Sequence, residues 1–270
     1  MTTPTMAGQS PGALPQVHPT AIVDANAELA DGVQVGPYAI IGPNVKIGTQ
    51  TIVGPHAYIE KDTRIGRECL IAKGAVLGTD PQDLKYEGEE TLLIVGDGTT
   101  IREFATLHRG TRSSGSTVVG SGCFLMAYAH ISHDSRIGDH VTIANAVNMG
   151  GHVVIEDWAM IGGVTAIHQF VRIGTHAIVG GGCRVPKDVP PYTCAAGNPL
   201  RLYGLNTVGL ERRGISKEIR RELKRAYRVL FNSNLNISQA IEELRSRGTA
   251  IEEVEGLIAF IETSERGVTV

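Results

Sequence analysis

Two histidines and a carboxylate fall within five residues of this chain, His130-Ile131-Ser132-His133-Asp134, and Gly150-Gly151-His152 and His168-Gln169 follow. An imidazole beside a carboxylate suits general-base chemistry, because the carboxylate orients the ring and supports its protonated form. A glycine offers an unobstructed main-chain N–H, the kind of donor that stabilises an oxyanion. No Ser or Cys nucleophile is required where the base activates a hydroxyl of the substrate itself, so these residues point to direct group transfer. The same histidines also suit a zinc ion, or plain structural packing.

Positioning these groups is the task of a six-residue repeat. Aliphatic residues recur in one phase at Val23, Leu29, Val35, Ile41, Ile47, Val53, Ile59, Ile65, Ile71 and Leu77. The phase returns at Val95, Ile101 and Leu107, then runs from Val119 to Val185. A helix needs spacings of three and four and a half-buried strand needs two, so a strict six marks an internal repeat. The residue two before each aliphatic is small or β-branched, as at Ala21, Ala27, Val33 and Ala39. In a strand both would point inward. Gly often follows the aliphatic, as at Gly36, Gly42, Gly48 and Gly54, and is expected to supply the turn. Three hexads make a coil of eighteen residues, and coils stack into a parallel β-helix with neighbouring strands ~4.8 Å apart. Gly151 lies eighteen residues after His133, and His152 eighteen after Asp134. Stacked coils are therefore expected to bring an imidazole beside a main-chain amide.

The expected organisation is a flexible tail over residues 1–16, a β-helix over 17–190 and a helical region over 191–270. Two polar insertions, near 79–92 and 112–116, interrupt the repeat without ending its phase. Ser216 reads as the N-cap of a helix carrying Ile219, Leu223, Tyr227 and Leu230, and two further apolar-periodic segments follow near 238–247 and 250–263. With 33 Gly among 270 residues, 5% aromatic and 42% hydrophobic residues, the core is expected to be aliphatic. No apolar run reaches the length of a membrane span, and the N-terminal stretch lacks the charged start and apolar block of a signal peptide. A formal charge of −3 argues against general nucleic-acid binding. Cys69, Cys123 and Cys183 sit at small inward positions and Cys194 lies beyond the repeats, so no disulfide framework is expected and a reducing, cytoplasmic location fits.

Taken together, the hexads, Gln82-Asp83-Leu84-Lys85-Tyr86, His108-Arg109-Gly110, the block at 129–134, Gly150-Gly151-His152-Val153, His168-Gln169-Phe170 and the stretch 204–214 resemble the UDP-N-acetylglucosamine acyltransferases of lipid A biosynthesis. The likeness runs from about Val17 onward. It implies an all-β left-handed parallel β-helix with a small all-α C-terminal domain, and a homotrimer with active sites between neighbouring prisms. The handedness comes from the resemblance. It further implies transfer of an R-3-hydroxyacyl group from acyl carrier protein to the 3-hydroxyl of UDP-N-acetylglucosamine, with no metal and no organic cofactor. By motif, His133 is then the general base, Asp134 orients it and the N–H of Gly151 is the oxyanion donor. Asp83 contacts the sugar, and His130, His152 and His168 line the cleft. Asn206, Arg212 and Gln169 serve the nucleotide end. Gly181 stands where the family limits acyl length, and its missing side chain predicts a long donor. Arg109 and the basic cluster of Lys217, Arg220 and Arg221 are expected to dock the acidic carrier protein. Tyr128 departs from the family, which often has Asn there.

Three alternatives use other features. A related hexapeptide N-acyltransferase of the same pathway usually carries an additional N-terminal domain, whereas about sixteen residues precede the repeats here. A metal-dependent hydratase of the carbonic anhydrase-like β-helix type would bind zinc through the histidines. A non-catalytic prism would leave the His133-Asp134 and Gly151-His152 pairs without a purpose.

Overall fold

A computed structural model describes residues 13–246, 248 and 251–270; most of the tail expected over 1–16 lies outside them. The chain divides into two compact units, the first ending at Asp134 and the second beginning at Ser135. Each is a stack of parallel two- to four-residue strands on three sheets, and the fold is a left-handed parallel β-helix with helices at the C-terminal end.

In the first unit one sheet stacks Gln16–Val17, Ile52–Val53 and Leu70–Ile71 among its rungs, with Gln16 paired to Gln34 and Gln34 to Ile52. The eighteen-residue coil is thus met directly. After the first insertion the partners are thirty apart, Leu70 with Thr100, and after the second twenty-four apart, Thr106 with His130. Both insertions therefore add whole multiples of six, which keeps every aliphatic facing inward. Ile41, Ile59, Ile71, Leu107 and Ile131 are at most 1% exposed, each contributing roughly 1.5–3 kcal/mol by burial.

Glycine does not make the turns as expected. Gly36, Gly42, Gly48 and Gly54 lie outside the left-handed region, and that conformation falls two residues later at Tyr38, Asn44, Gln50 and His56. A left-handed side-chain residue costs about 1–2 kcal/mol. Here its N–H is returned to the coil below, as from Gln50 to Asp31 O at 3.1 Å and from His56 to Pro37 O at 3.1 Å. The glycines instead permit close approach of backbone to backbone. A Cβ on Gly36 would lie 2.9 Å from Pro55 N, and one on Gly42 2.6 Å from the Glu60 carbonyl carbon.

The second unit continues the eighteen-residue register, with Arg136 paired to Val154 and Thr142 to Met160. Its last parallel rung is Thr193–Ala196, where Cys194 pairs with Ile178, sixteen residues before it, so Cys194 lies past the eighteen-residue register yet still within the sheet. Arg201–Leu205 then reverses direction beside that strand. Among the described residues four helices follow: α1 (Thr207–Arg212), α2 (Lys217–Phe231), α3 (Ile237–Ser246) and α4 (Glu252–Glu262). Ser216 caps α2 as expected, accepting from Ile219 N at 3.2 Å. Leu223, Leu230, Ile241, Leu244, Leu257 and Ile258 form one cluster with Leu210 and Tyr192. The short α1 has too few residues to show a period and was not expected. Among the described residues no helix is long and apolar enough to cross a membrane.

Candidate active site

In the first unit His133 Nδ1 lies 2.7 Å from Asp134 Oδ2, with the two side chains 12% and 0% exposed. Asp134 is held by the second insertion: Thr111 donates its N–H at 2.9 Å and its hydroxyl at 2.8 Å, and Ser114 donates its hydroxyl. Its own N–H donates to Thr117 Oγ1 at 2.9 Å, which fixes a residue of positive φ. Burial pushes the Asp134 carboxyl upward, but hydrogen bonds from His133, Ser114 and Thr111 outweigh it and bring it down to about 2. The carboxylate is therefore ionised and can only accept, so His133 donates from Nδ1, and Nε2 is the nitrogen at which the ring can exchange a proton.

His130 stands on the strand that leads into His133, its Nδ1 2.7 Å from the hydroxyl of Thr106 on the neighbouring rung, and its ring meets His108 edge-on at 5.0 Å. Burial, with the nearby charges of His108 and His133, lowers His130 to about 4. Burial likewise lowers His108. His108 carries the resemblance in sequence but no assigned role, and nothing in the sequence singles out Thr111 or Ser114. A buried Ser or Thr inside a polar insertion carries no periodic signal.

Asp83 sits half-buried in the first insertion, where its carboxylate accepts from Lys85 N at 3.0 Å. Arg109 corrects the sequence reading. Expected on a docking surface, its side chain is fully buried, pairing with Asp80 and donating to Gly78 O and, at 3.0 Å, to the Tyr86 hydroxyl. It ties the first insertion to the coil and is not available to a partner protein. A surface default for cations misses it because a guanidinium with several partners can be buried.

In the second unit Gly151 is buried, and His152 stacks on Phe170 with ring centroids 4.5 Å apart. His168 donates Nδ1–H to Gln169 O at 3.1 Å, and both residues are exposed. Gly181 is also exposed, and a Cβ there would meet Gly163 O at 3.2 Å. A groove of about 370 Å³ is lined by Trp158, His176, Asn206, Val208, Arg212 and Arg213 among others. Arg213 lies 3.7 Å over the Trp158 ring, and Trp158 belongs to a ladder with His140 and His176 at eighteen-residue spacing. That spacing was a visible signal for Trp158 and His176. Asn206 forms the wall: it caps α1 by accepting from Gly209 N and donates to His176 O, both at 2.9 Å. On α2, Lys217 is exposed, Arg220 pairs with Glu211 and Arg221 with Glu222.

Comparison with known proteins adds a second line of observation. A sequence profile described as Udp N-acetylglucosamine O-acyltransferase, Domain 2, matches residues 188–269, and one described as Bacterial transferase hexapeptide (six repeats) matches 116–151. An acyl-[acyl-carrier-protein]–UDP-N-acetylglucosamine O-acyltransferase of Syntrophobacter fumaroxidans is 49% identical over 255 residues, covering 94% of this chain and 99% of the relative. The chain belongs to the acyl-[acyl-carrier-protein]–UDP-N-acetylglucosamine O-acyltransferase family. Solved acyltransferases superpose on it closely. That of Bacteroides fragilis has a TM-score of 0.92 at 38% identity, covering 94% of this chain and all of the other. That of Moraxella catarrhalis has 0.91 at 41%, covering 94% and 99%. Within this acyltransferase family member, the hexapeptide profile spans His130, His133, Asp134 and Gly151, whereas the Domain 2 profile spans α1 to α4.

Two of the depressed groups of the first unit, His130 and Asp134, predict two windows of acid destabilisation. Between pH 6.5 and about 4 the unfolded chain protonates His130 while the folded chain does not. Its contribution is whole above pH 6.5 and falls through that window. Asp134 contributes fully above pH 3.8 and is lost as pH falls toward 2. Urea unfolding midpoints measured from pH 8 to 3 should decline first in the upper window, and His130→Gln should flatten it. An unchanged slope in that variant would exclude His130 as a source.

Proposed function

We propose that the protein transfers an R-3-hydroxyacyl group from acyl carrier protein to the 3-hydroxyl of UDP-N-acetylglucosamine, the first step of lipid A biosynthesis. The observation that carries the mechanism is the 2.7 Å contact of His133 Nδ1 with an ionised Asp134 in a member of this family. His133 Nε2 takes the proton of the sugar 3-hydroxyl as its oxygen bonds to the thioester carbonyl carbon. The carbonyl oxygen becomes an oxyanion, for which Gly151 N–H is the proposed donor on its spacing of eighteen residues from His133. Collapse breaks the carbon–sulfur bond, and the carrier thiolate receives the proton from His133. Asp134 keeps its hydrogen bond to Nδ1 and stabilises the imidazolium formed between the steps.

Asp83, His130, His152 and His168 contact sugar or acyl chain in this reading, and Gln169 serves the nucleotide end. The groove of Asn206 and Arg212 takes the nucleotide end, its guanidinium suited to a phosphate. Gly181 leaves the acyl groove open for a long chain. Lys217, Arg220 and Arg221 attract the acidic carrier protein. A homotrimer fits the uneven surface of the first unit. Outward positions on two sheets include Ile22, Ile40 and Leu70, at 64%, 37% and 37% exposed, whereas the third carries Glu28 paired with Lys46 at 2.8 Å. Free thiols at Cys69, Cys123, Cys183 and Cys194 fit the cytoplasm.

The purified protein, given UDP-N-acetylglucosamine and hydroxyacyl carrier proteins of several chain lengths, should release carrier thiol and form the 3-O-acyl sugar nucleotide, fastest with long donors. No product with any donor would overturn the reading, and a preference for the shortest donor would overturn the role of Gly181.

A further inference from the structure

The two insertions are joined to each other before they reach the His133-Asp134 pair: Arg112 pairs with Glu87, Leu92 N donates to Gly115 O at 3.0 Å, and the Glu89 carboxylate grips the main chain between them. Glu89, in the first insertion, has a side chain only 17% exposed. Its Oε1 accepts from the main-chain N–H of Arg112 at 3.0 Å and lies 3.6 Å from the Arg112 guanidinium. Its Oε2 accepts from Glu87 N at 2.9 Å, and its carbonyl accepts from the Tyr86 hydroxyl at 3.2 Å. Arg112 directly follows Thr111, whose N–H and hydroxyl hold Asp134, and the same turn carries Ser114, the third donor to that carboxylate. Inside the turn Gly115 N donates to Thr111 O at 2.8 Å, Ser113 N to the Thr111 hydroxyl at 3.2 Å and the Ser114 hydroxyl to Ser116 O at 2.9 Å, and Leu92 N holds its far end through Gly115 O at 3.0 Å. With Arg112 65% exposed at its side chain, Glu89 is the anchor on its inner side.

We propose that Glu89 is a positioning residue for the acyl transfer: by gripping the Arg112 N–H it sets the Thr111–Ser114 turn, whose donors aim Asp134 at His133. This rests on the reading of His133 as the base. Since Asp134 matters most when His133 becomes charged, a slack turn weakens an interaction that is stronger in the transition state than in the ground state. The loss falls on kcat, and KM for UDP-N-acetylglucosamine changes little.

The test is a double-mutant cycle on the full-length protein, read in kcat and KM with UDP-N-acetylglucosamine and a long-chain hydroxyacyl carrier protein. Glu89→Ala should lower kcat about tenfold with KM within twofold, and Glu89→Gln, which keeps the acceptor oxygen, should recover most of it. The exposed neighbour Glu90→Ala should behave as wild type. In an Asp134→Asn background Glu89→Ala should cost nothing further, because the group through which it acts is already disabled. Additive losses, or a loss confined to KM, would overturn the proposal, as would a Glu89→Ala enzyme with unchanged kcat. Circular dichroism and the thermal midpoint of each variant separate these outcomes from unfolding. An inactive wild-type protein would instead count against the acyltransferase reading itself.

Discussion

Replacing His133 by Ala is expected to lower kcat by about 10²–10⁴-fold, the range lost with a general base, while leaving the fold and substrate affinity nearly intact. The partners of Asp134 explain the second half. Without the imidazole the carboxylate still accepts from Thr111 N, the Thr111 hydroxyl and the Ser114 hydroxyl, so no buried charge is abandoned. The His133 side chain is itself 12% exposed and contributes no core volume comparable to Ile131. Steady-state kinetics alongside a thermal melt is the check. A His133→Ala enzyme within threefold of wild-type kcat would remove His133 from the chemistry, and a lower melting point with intact kcat would make it a structural residue.

The largest expected effect on stability comes from a single methyl group. Gly42→Ala puts a Cβ inside the envelope of the Glu60 carbonyl, where both oxygen and carbon are main-chain atoms of the next coil. No rotamer relieves the clash, so the two coils must separate. The hydrogen bond from Gly42 N to Ile59 O, now 2.8 Å, lengthens with them. Overpacking of this kind costs about 3 kcal/mol, which for a chain of this size lowers the midpoint by about 5 °C. Gly88→Ala, in the first insertion, meets nothing within 4 Å and serves as the comparison, although its positive φ adds a small cost of its own. Equal midpoints for the two variants would show that the coils can part without penalty.

The repeat was legible because its constraint is local and periodic. Every sixth side chain must fill the prism, and a displaced phase would turn Ile41 or Leu77 outward. The helical region was legible for a related reason: Leu223, Tyr227 and Leu230 share one face of α2, and Ser216 announces its start. The His133-Asp134 pair could be read because its members are adjacent in sequence. Other parts of the candidate site could not. Thr106 lies twenty-four residues from His130, since the second insertion lengthens that coil, and an eighteen-residue rule assigns His130 the wrong neighbour. Arg109 looked like a surface cation until Asp80, Gly78 and Tyr86 were seen around it. A glycine after the aliphatic reads as a turn residue in sequence, although what selects it is the approach of the adjacent coil.

The amino-acid pattern by itself determined the coil, its register within uninterrupted repeats, and which residue types could carry a proton. These properties depend on side-chain alternation and a fixed period, both of which are readable along one line of chain. Tertiary structure alone decided which donors surround Asp134, which cation is buried and which insertion braces the other. Those contacts join residues of irregular segments some twenty to thirty positions apart. Their distance in space is set by the coils beneath them and not by any spacing in the insertions themselves.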